Sequence, residues 1–451
     1  ADGLSEELLN LLAKNRDLKV AGRTSSFAFK GQNSDLREIG AQLDVATVLE
    51  GSVRRSGDKI RITAQLINVE DGYHLWSETY DRELIDIFDI QDDVAKSITD
   101  ALQITLSGDE AVARERPTDN MEAYEIYLEV LSMPMDTLQS ARIGLSMADH
   151  IIALDPSFAD SWIARAVVAY NVVYYEDRAP SESMERAHAY VLDALLVSPN
   201  SVYLKGVLEA TRGDDYDWFK EIKAFNYAIE AEPNNINPKI WQIYGLNEAG
   251  YHQQALSIGA DLYAIDPLHP YSMARYGIAL SAVGQRDSAR ELWAKAVEQG
   301  QGEAASFYFI DRLLENDPEG AIKVIETFGA IYDMDISSIR TLVEAEFNGE
   351  TINQELVSDI DPIIGISLEA LLDLGRGRLD KYVDDLIVTD MGMALSSADA
   401  LIYLAMAFPE LGYTAHPRYL EIARKMEMVD LWDRYGPPDM CSKDTGAWVC
   451  E

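Results

Sequence analysis

The stretch PLHPYSMARYGIALSAVGQRDSARELWAKAVEQGQ, residues 267–301, decides the fold. Its apolar residues recur at helical spacing, and Gly277, Ala289 and Ala296 place small residues among the bulkier Tyr276, Leu280 and Trp293, where two paired helices must approach closely. The unit starts at Asp266-Pro267, and equivalent pairs stand at Ser198-Pro199 and Glu232-Pro233, so that the three prolines are spaced by 34 residues. That interval is the length of one helix-turn-helix repeat. Asp155-Pro156 marks an earlier unit, with Trp162, Ala187 and Ala194 in corresponding places and a longer interval of 43 caused by an insertion around residues 175–183. Several units in register predict a stack in which each helix pair buries its apolar stripe against its neighbours and leaves an extended concave surface.

The period and the marked positions resemble those of tetratricopeptide repeats, whose concave face is formed by the second, fifth, ninth, twelfth and thirteenth residues of each first helix. Counted in that frame, the resemblance implies a partner-binding groove at Tyr170, Asn171, Tyr203, Asp214, Tyr244, Asn247, Glu248 and Tyr271. Aromatic and amide groups with few cations suit an extended protein or peptide held by stacking and backbone hydrogen bonds. The alternative is that the tyrosines only fill helix packing. Beyond residue 301 the frame blurs, yet helices are expected at 303–314, 318–332, 336–347, 361–374, 379–387 and 397–408 as degenerate repeats.

The first hundred residues follow another pattern. Leu4, Leu8, Leu11 and Leu12 recur as on a helix, residues 18–21 read as a short strand, and residues 36–43 as a second helix. Val45, Thr47, Leu49, Gly51 and Val53 alternate as one strand of a hairpin, Ile60, Ile62, Ala64 and Leu66 as the other, and residues 74–80 as a further strand. Ile90, Val94, Ile98 and Leu102 form one stripe of a closing helix. The expected fold class is therefore α+β. A small N-terminal α/β domain spans residues 1–105 and a charged linker 106–120, repeats fill 121–300, and degenerate helical repeats with a two-cysteine tail fill 301–451. The α/β domain is expected to cap one end of the solenoid.

With 77 acidic against 38 basic residues, the 451-residue chain carries a formal charge of −39. Phosphate backbones and anionic membrane surfaces would repel it, which argues against a nucleic-acid partner and against direct membrane association. Most of that charge lies in the helical part, because residues 1–105 hold 19 acidic and 12 basic residues. No run of residues is apolar enough to cross a membrane. Catalytic arrangements are missing as well: no glycine-rich phosphate loop, no nucleophile elbow and no histidine pair at metal-ligand spacing occur. Asp359-Ile360-Asp361 fails as a calcium loop because Ile363 takes the fifth position. The expectation is a non-enzymatic chain with no cofactor and no metal. Cys441 and Cys450, the only cysteines, fit a short hairpin clasp and an oxidising compartment, with two free thiols or a zinc site as alternatives.

Five runs carry a further resemblance: ADGLSEELLNLLAK from Ala1, LKVAGRTSSFAFKG from Leu18, VLEGSVRRSGDKIRITAQLIN from Val48, DGYHLWSETYDR from Asp71 and DIFDIQDDVAKSI from Asp86. Together they resemble the TolB amino-terminal-like family, related to FlgO-like domains. This domain followed by tetratricopeptides resembles the periplasmic region of bacterial inner-membrane adenylate cyclases and winged-helix regulators. The resemblance implies a Gram-negative periplasmic location, an upstream membrane anchor and effector domain, and a role in binding or sensing, in cyclase regulation, or as an envelope scaffold. The family's opening strand, similar to Val-Leu-Pro-Phe, does not precede Ala1, which implies that the natural chain extends upstream.

Overall fold

The computed structural model describes residues 5, 8–9, 12–13, 18–32, 35–56, 59–83, 87–101, 118–133, 138–175, 180–212, 216–331, 335–350, 368–388, 406–444 and 446–450. Short helices Arg23–Phe27 (α1) and Leu36–Leu43 (α2) precede a meander of Thr47–Ser56 (β1), Lys59–Asn68 (β2) and His74–Glu83 (β3). The strands are antiparallel in the order β1-β2-β3, with Val53 opposite Ile62 and Ile62 opposite Tyr80. Alternate β2 residues Ile60, Ile62, Ala64 and Leu66 are buried with Ile90, Val94 and Ile98 of helix Ile87–Ala101 (α3), so a period of two meets a helical stripe across one core. Leu8 and Leu12 are helical as expected, whereas Leu4, Leu11 and Leu102 lie outside the described residues.

Helices then follow in hairpins: Met121–Ser132 (α4) with Leu138–Leu154 (α5), Ala159–Tyr175 (α6) with Pro180–Val197 (α7), and Val202–Ala210 (α8) with Trp218–Ala231 (α9). Ile236–Glu248 (α10) pairs with His252–Ile265 (α11), Pro270–Ala282 (α12) with Arg286–Glu298 (α13), and Gly302–Leu314 (α14) with Pro318–Ile331 (α15). First helices also touch first helices, α8 to α10 to α12 to α14, which is the helix-pair solenoid that the 34-residue frame predicts. Ala289, Trp293 and Ala296 are fully buried, and a Cβ on Gly277 would lie 2.6 Å from Trp293 Nε1, so glycine is what lets the indole lie against α12. The sheet's core continues into α4, α5 and α6 through Tyr124, Tyr127, Ile151 and Val168.

Helices Ser337–Asn348 (α16), Leu368–Gly375 (α17) and Leu379–Val388 (α18) continue the chain, and the expected helix at 397–408 lies largely outside the described residues. The chain then turns back instead of extending the stack. A 3-10 turn at Pro409–Leu411, helices Tyr419–Lys425 (α19) and Met428–Tyr435 (α20), and a hairpin of Cys441–Asp444 (β4) and Ala447–Cys450 (β5) return along the turns that join the two helices of each pair. Phe408, Tyr419 and Trp432 are buried in the same core as α9 to α15. Trp432 Nε1 donates to Ala249 O at 3.1 Å, Trp218 Nε1 to Met426 O at 2.8 Å, and Ser281 Oγ to Ala407 O at 2.6 Å. Arg286 reaches Glu410 at 2.7 Å while also paired with the buried Asp311, fixing the 3-10 turn to α13 and α14.

The opposite edge, made of the turns between successive pairs, receives the N-terminal segment. The strand expected at residues 18–21 is absent; this stretch leaves the sheet and runs onto the helices. Asn234 Nδ2 donates to Leu18 O at 3.0 Å, and Gly22 N donates to Ile265 O at 2.6 Å. Ser25 N donates to Asp266 Oδ1 at 2.8 Å, across 241 positions of sequence. The sheet and its helix α3 therefore share a core with the first helices, and residues 18–27 run as a strap to the turn between α11 and α12. The strap answers a local deficit, because Gly22 at the N-cap of α1 supplies no capping side chain and Asp266 accepts from Ser25 N instead. The C-terminal segment does the same for α11, whose N-cap Tyr251 also lacks one, through Asp439 Oδ2 and Gln253 N at 2.6 Å.

Candidate partner-binding site

On the face formed by the first helices, a ribbon of polar and aromatic side chains crosses α10, α12 and α14. The Arg275 guanidinium lies 5.0 Å from the Tyr244 ring centroid and 3.0 Å from Glu303. Tyr271, one turn before Arg275 on α12, is half-buried beside His269. Burial pushes the Glu303 carboxyl above the ordinary carboxylate range, with Arg275 opposing, and Glu303 Oε2 has no hydrogen-bond partner among the described residues. Further along, Tyr170 on α6 packs 4.3 Å from Trp241 on α10, and Trp241 stacks on Phe225 at 5.8 Å. Helix α8 has only 9 residues, against 17 in α6, which leaves the C-terminal half of α6 free to meet α10.

The groove residues expected from the sequence divide into two groups. Tyr170, Tyr244 and Tyr271 are half-buried and remain on the strip. Tyr203, Asn247 and Glu248 are not surface residues: they are 6%, 1% and 2% exposed. Tyr203 is drawn inward beside Trp241, and burial pushes its hydroxyl far above the ordinary phenol range. Asn247 and Glu248 close α10 just before Ala249 and Gly250, where the returning C-terminal segment covers the helix end through Trp432 and Pro438. Burial pushes His252 down to about 4, so its ring is neutral and its Nδ1 bonds Asn247 Oδ1 at 3.2 Å inside the core. Asp214 lies outside the described residues, and Asn171 is on α6 with its side chain undescribed.

Trp241, Arg275 and Glu303 belong to the strip without having been singled out in the sequence. Counting fixed positions in an ideal helix pair misses them, although Arg275 follows Tyr271 by one turn and Trp241 precedes Tyr244 by three residues. A second concavity, of about 200 Å³, lies at the seam between α9 and α20, lined by Tyr216, Trp218, Glu427 and Arg434. Its chemistry is largely spent internally, since Arg434 pairs with Asp217 at 2.9 Å. Cys441 and Cys450 form a disulfide and face each other across the β4–β5 hairpin, which sets Trp448 edge-on to Trp432 at 5.4 Å. Among the described residues no three His, Cys, Asp or Glu side chains converge as a metal site, and no helix is long and apolar enough to cross a membrane.

No family model matches the chain. A Rhizobium meliloti (strain 1021) protein called "Putative adenylate cyclase 3" is 38% identical over 174 residues, which is 38% of this chain and 29% of that protein. The chain thus spans less than a third of this relative's length. Among solved structures, YrrB, described as a TPR protein with an unusual peptide-binding site, is 19% identical and covers 35% of this chain and 77% of its own, with a TM-score of 0.23. The human IFIT1 dimer with PPP-AAAA is 14% identical and covers 75% of this chain and 79% of its own, with a TM-score of 0.39.

Proposed function

We propose that this chain is a non-catalytic binding or sensory module whose first-helix face holds an extended polypeptide, and that it works in the Gram-negative periplasm. The ribbon Tyr244–Arg275–Glu303 is the observation that carries the reading. It joins three successive repeats through an aromatic ring, a guanidinium and a carboxylate, groups suited to an extended peptide. The net charge of −39 favours a neutral or basic partner segment. The disulfide supports an oxidising compartment. The family resemblance of residues 1–102 points to the same place.

A peptide selected from a display library against the whole chain provides the test. Tyr170→Ala and Tyr244→Ala should each weaken its binding by about two- to tenfold, the loss expected for one stacking aromatic. Unchanged affinity in both variants, or photocrosslinks confined to residues 18–101, refutes the groove assignment. The second reading is that the chain regulates a membrane-anchored cyclase encoded upstream. The similarity to a much longer protein named as an adenylate cyclase favours it. A full reading frame lacking a cyclase domain excludes that reading and leaves the free-standing scaffold.

A further inference from the structure

The turn between α11 and α12 grips the N-terminal domain through one fully buried carboxylate and one fully buried hydroxyl. Asp266 Oδ1 accepts from both the backbone N–H and the hydroxyl of Ser25, and Ser25 Oγ accepts in turn from Leu268 N at 2.8 Å. A Cβ on Gly22 would lie 2.2 Å from Asp266 Cγ, so the Asp266 side chain lies against the Gly22 backbone as closely as a glycine allows. His269 closes the same turn, and its Nδ1 accepts the Tyr271 N–H at 3.2 Å to cap α12. Only the unprotonated nitrogen can accept that bond. The charged and titratable groups around the imidazole are Asp266 on its own turn, Tyr271 on α12, and Arg23 on the docked α1.

We propose that this contact is an acid-sensitive latch, in which protonation of His269 breaks the cap of α12 and releases the strap of residues 18–27 from the solenoid. The latch would make the attachment of the α/β domain to the groove-bearing helices depend on the acidity of the surroundings. Burial holds His269 below its ordinary value, Asp266 opposes this, and Arg23 adds to the depression only while α1 is docked. Docking therefore binds a proton less well than the released state. The docked form is fully favoured above the free imidazole value near 6.5, and it loses ground as pH falls from there toward the depressed value of the docked state.

Hydrogen exchange followed by mass spectrometry on the full chain reads the latch at the peptide containing Gly22 and Ser25. After correction for intrinsic rates, protection there should drop between pH 7.5 and 5.5, because the docked state binds the His269 proton less well than the released one. His269→Gln, which keeps an oxygen acceptor for Tyr271 N and does not titrate, should hold protection constant over that range. Asp266→Asn should lower it at both pH values, while peptides around the buried Trp293 stay protected. Acid-independent protection in the wild type overturns the proposal, as does a His269→Gln response equal to that of the wild type. If Asp266→Asn unfolds the whole chain, the His269 arm alone decides.

Discussion

Replacing Trp432 with alanine tests whether the C-terminal segment is a permanent part of the helical core. Trp432 is 1% exposed, lies edge-on to Trp448 at 5.4 Å and near Tyr419 at 6.2 Å, and donates to Ala249 O at 3.1 Å. Truncating a buried indole costs roughly 3 to 5 kcal/mol, and losing its hydrogen bond to a buried carbonyl adds about 1 kcal/mol. Few local contacts could offset so large a loss, so the segment should open where it meets α10 and α11. Its markers are Asp439 N, bonded to Gly250 O at 2.9 Å, and Gln253 N, bonded to Asp439 Oδ2 at 2.6 Å. Hydrogen exchange at these amides should rise by at least a hundredfold, and the urea midpoint should fall, while Val449→Ala, on a side chain half in solvent, changes neither by much. A Trp432→Ala protein with wild-type midpoint and protected Asp439 and Gln253 would show that the segment does not pack there.

Reducing the Cys441–Cys450 disulfide should destabilise the tail by roughly 2 to 3 kcal/mol, the chain-entropy value for so short a loop, and raise the fluorescence response of Trp448 to quenchers; an unchanged response after complete reduction contradicts this. Glu221 is 6% exposed, and burial pushes its carboxyl up to about 7, with Tyr216 opposing and Glu209 adding to the rise. Its folded-state value lies above the unfolded one, so its contribution is most favourable below pH 4.5 and is lost as pH rises toward 7. Glu221→Gln should accordingly be more stable than the wild type at pH 8, by on the order of 3 kcal/mol, and indistinguishable near pH 4; equal stability at pH 8 would remove Glu221 as a source of strain.

The stack of helix pairs was legible because it is written twice, once as a 34-residue spacing of prolines and once as small residues facing large ones. Gly277 beneath Trp293 shows why such signals survive: close packing of two helices leaves no choice of residue. The meander was equally plain, since Ile60, Ile62, Ala64 and Leu66 alternate and all four are buried. The first-helix face was half-legible. Fixed positions in a repeat locate a face only while every first helix has the same length and the same neighbours. The short α8 shifts Tyr170 onto Trp241, and the returning tail buries Asn247 and Glu248.

What the sequence concealed were contacts between distant segments. Ser25 with Asp266 and Gln253 with Asp439 join positions 241 and 186 apart, and neither pair leaves a periodic trace. Each has a local cause all the same. A helix that starts with Gly22 or Tyr251 at the N-cap leaves N–H donors without a side-chain acceptor, and in a buried place some other part of the chain must supply one. Asp266 belongs to the Asp-Pro pair that punctuates the repeats, which places it at the turn between two helix pairs, within reach of a passing strap. Asp155, in the equivalent pair three inter-pair turns earlier in the stack, likewise accepts from Thr118 Oγ1 at 2.5 Å and so ties down the segment that leads into α4. At Asp155 and Asp266 the acid that first serves as a mark of period thus also serves as an attachment point for the N-terminal part of the chain. The two terminal segments consequently occupy opposite edges of the solenoid and leave the first-helix strip between them.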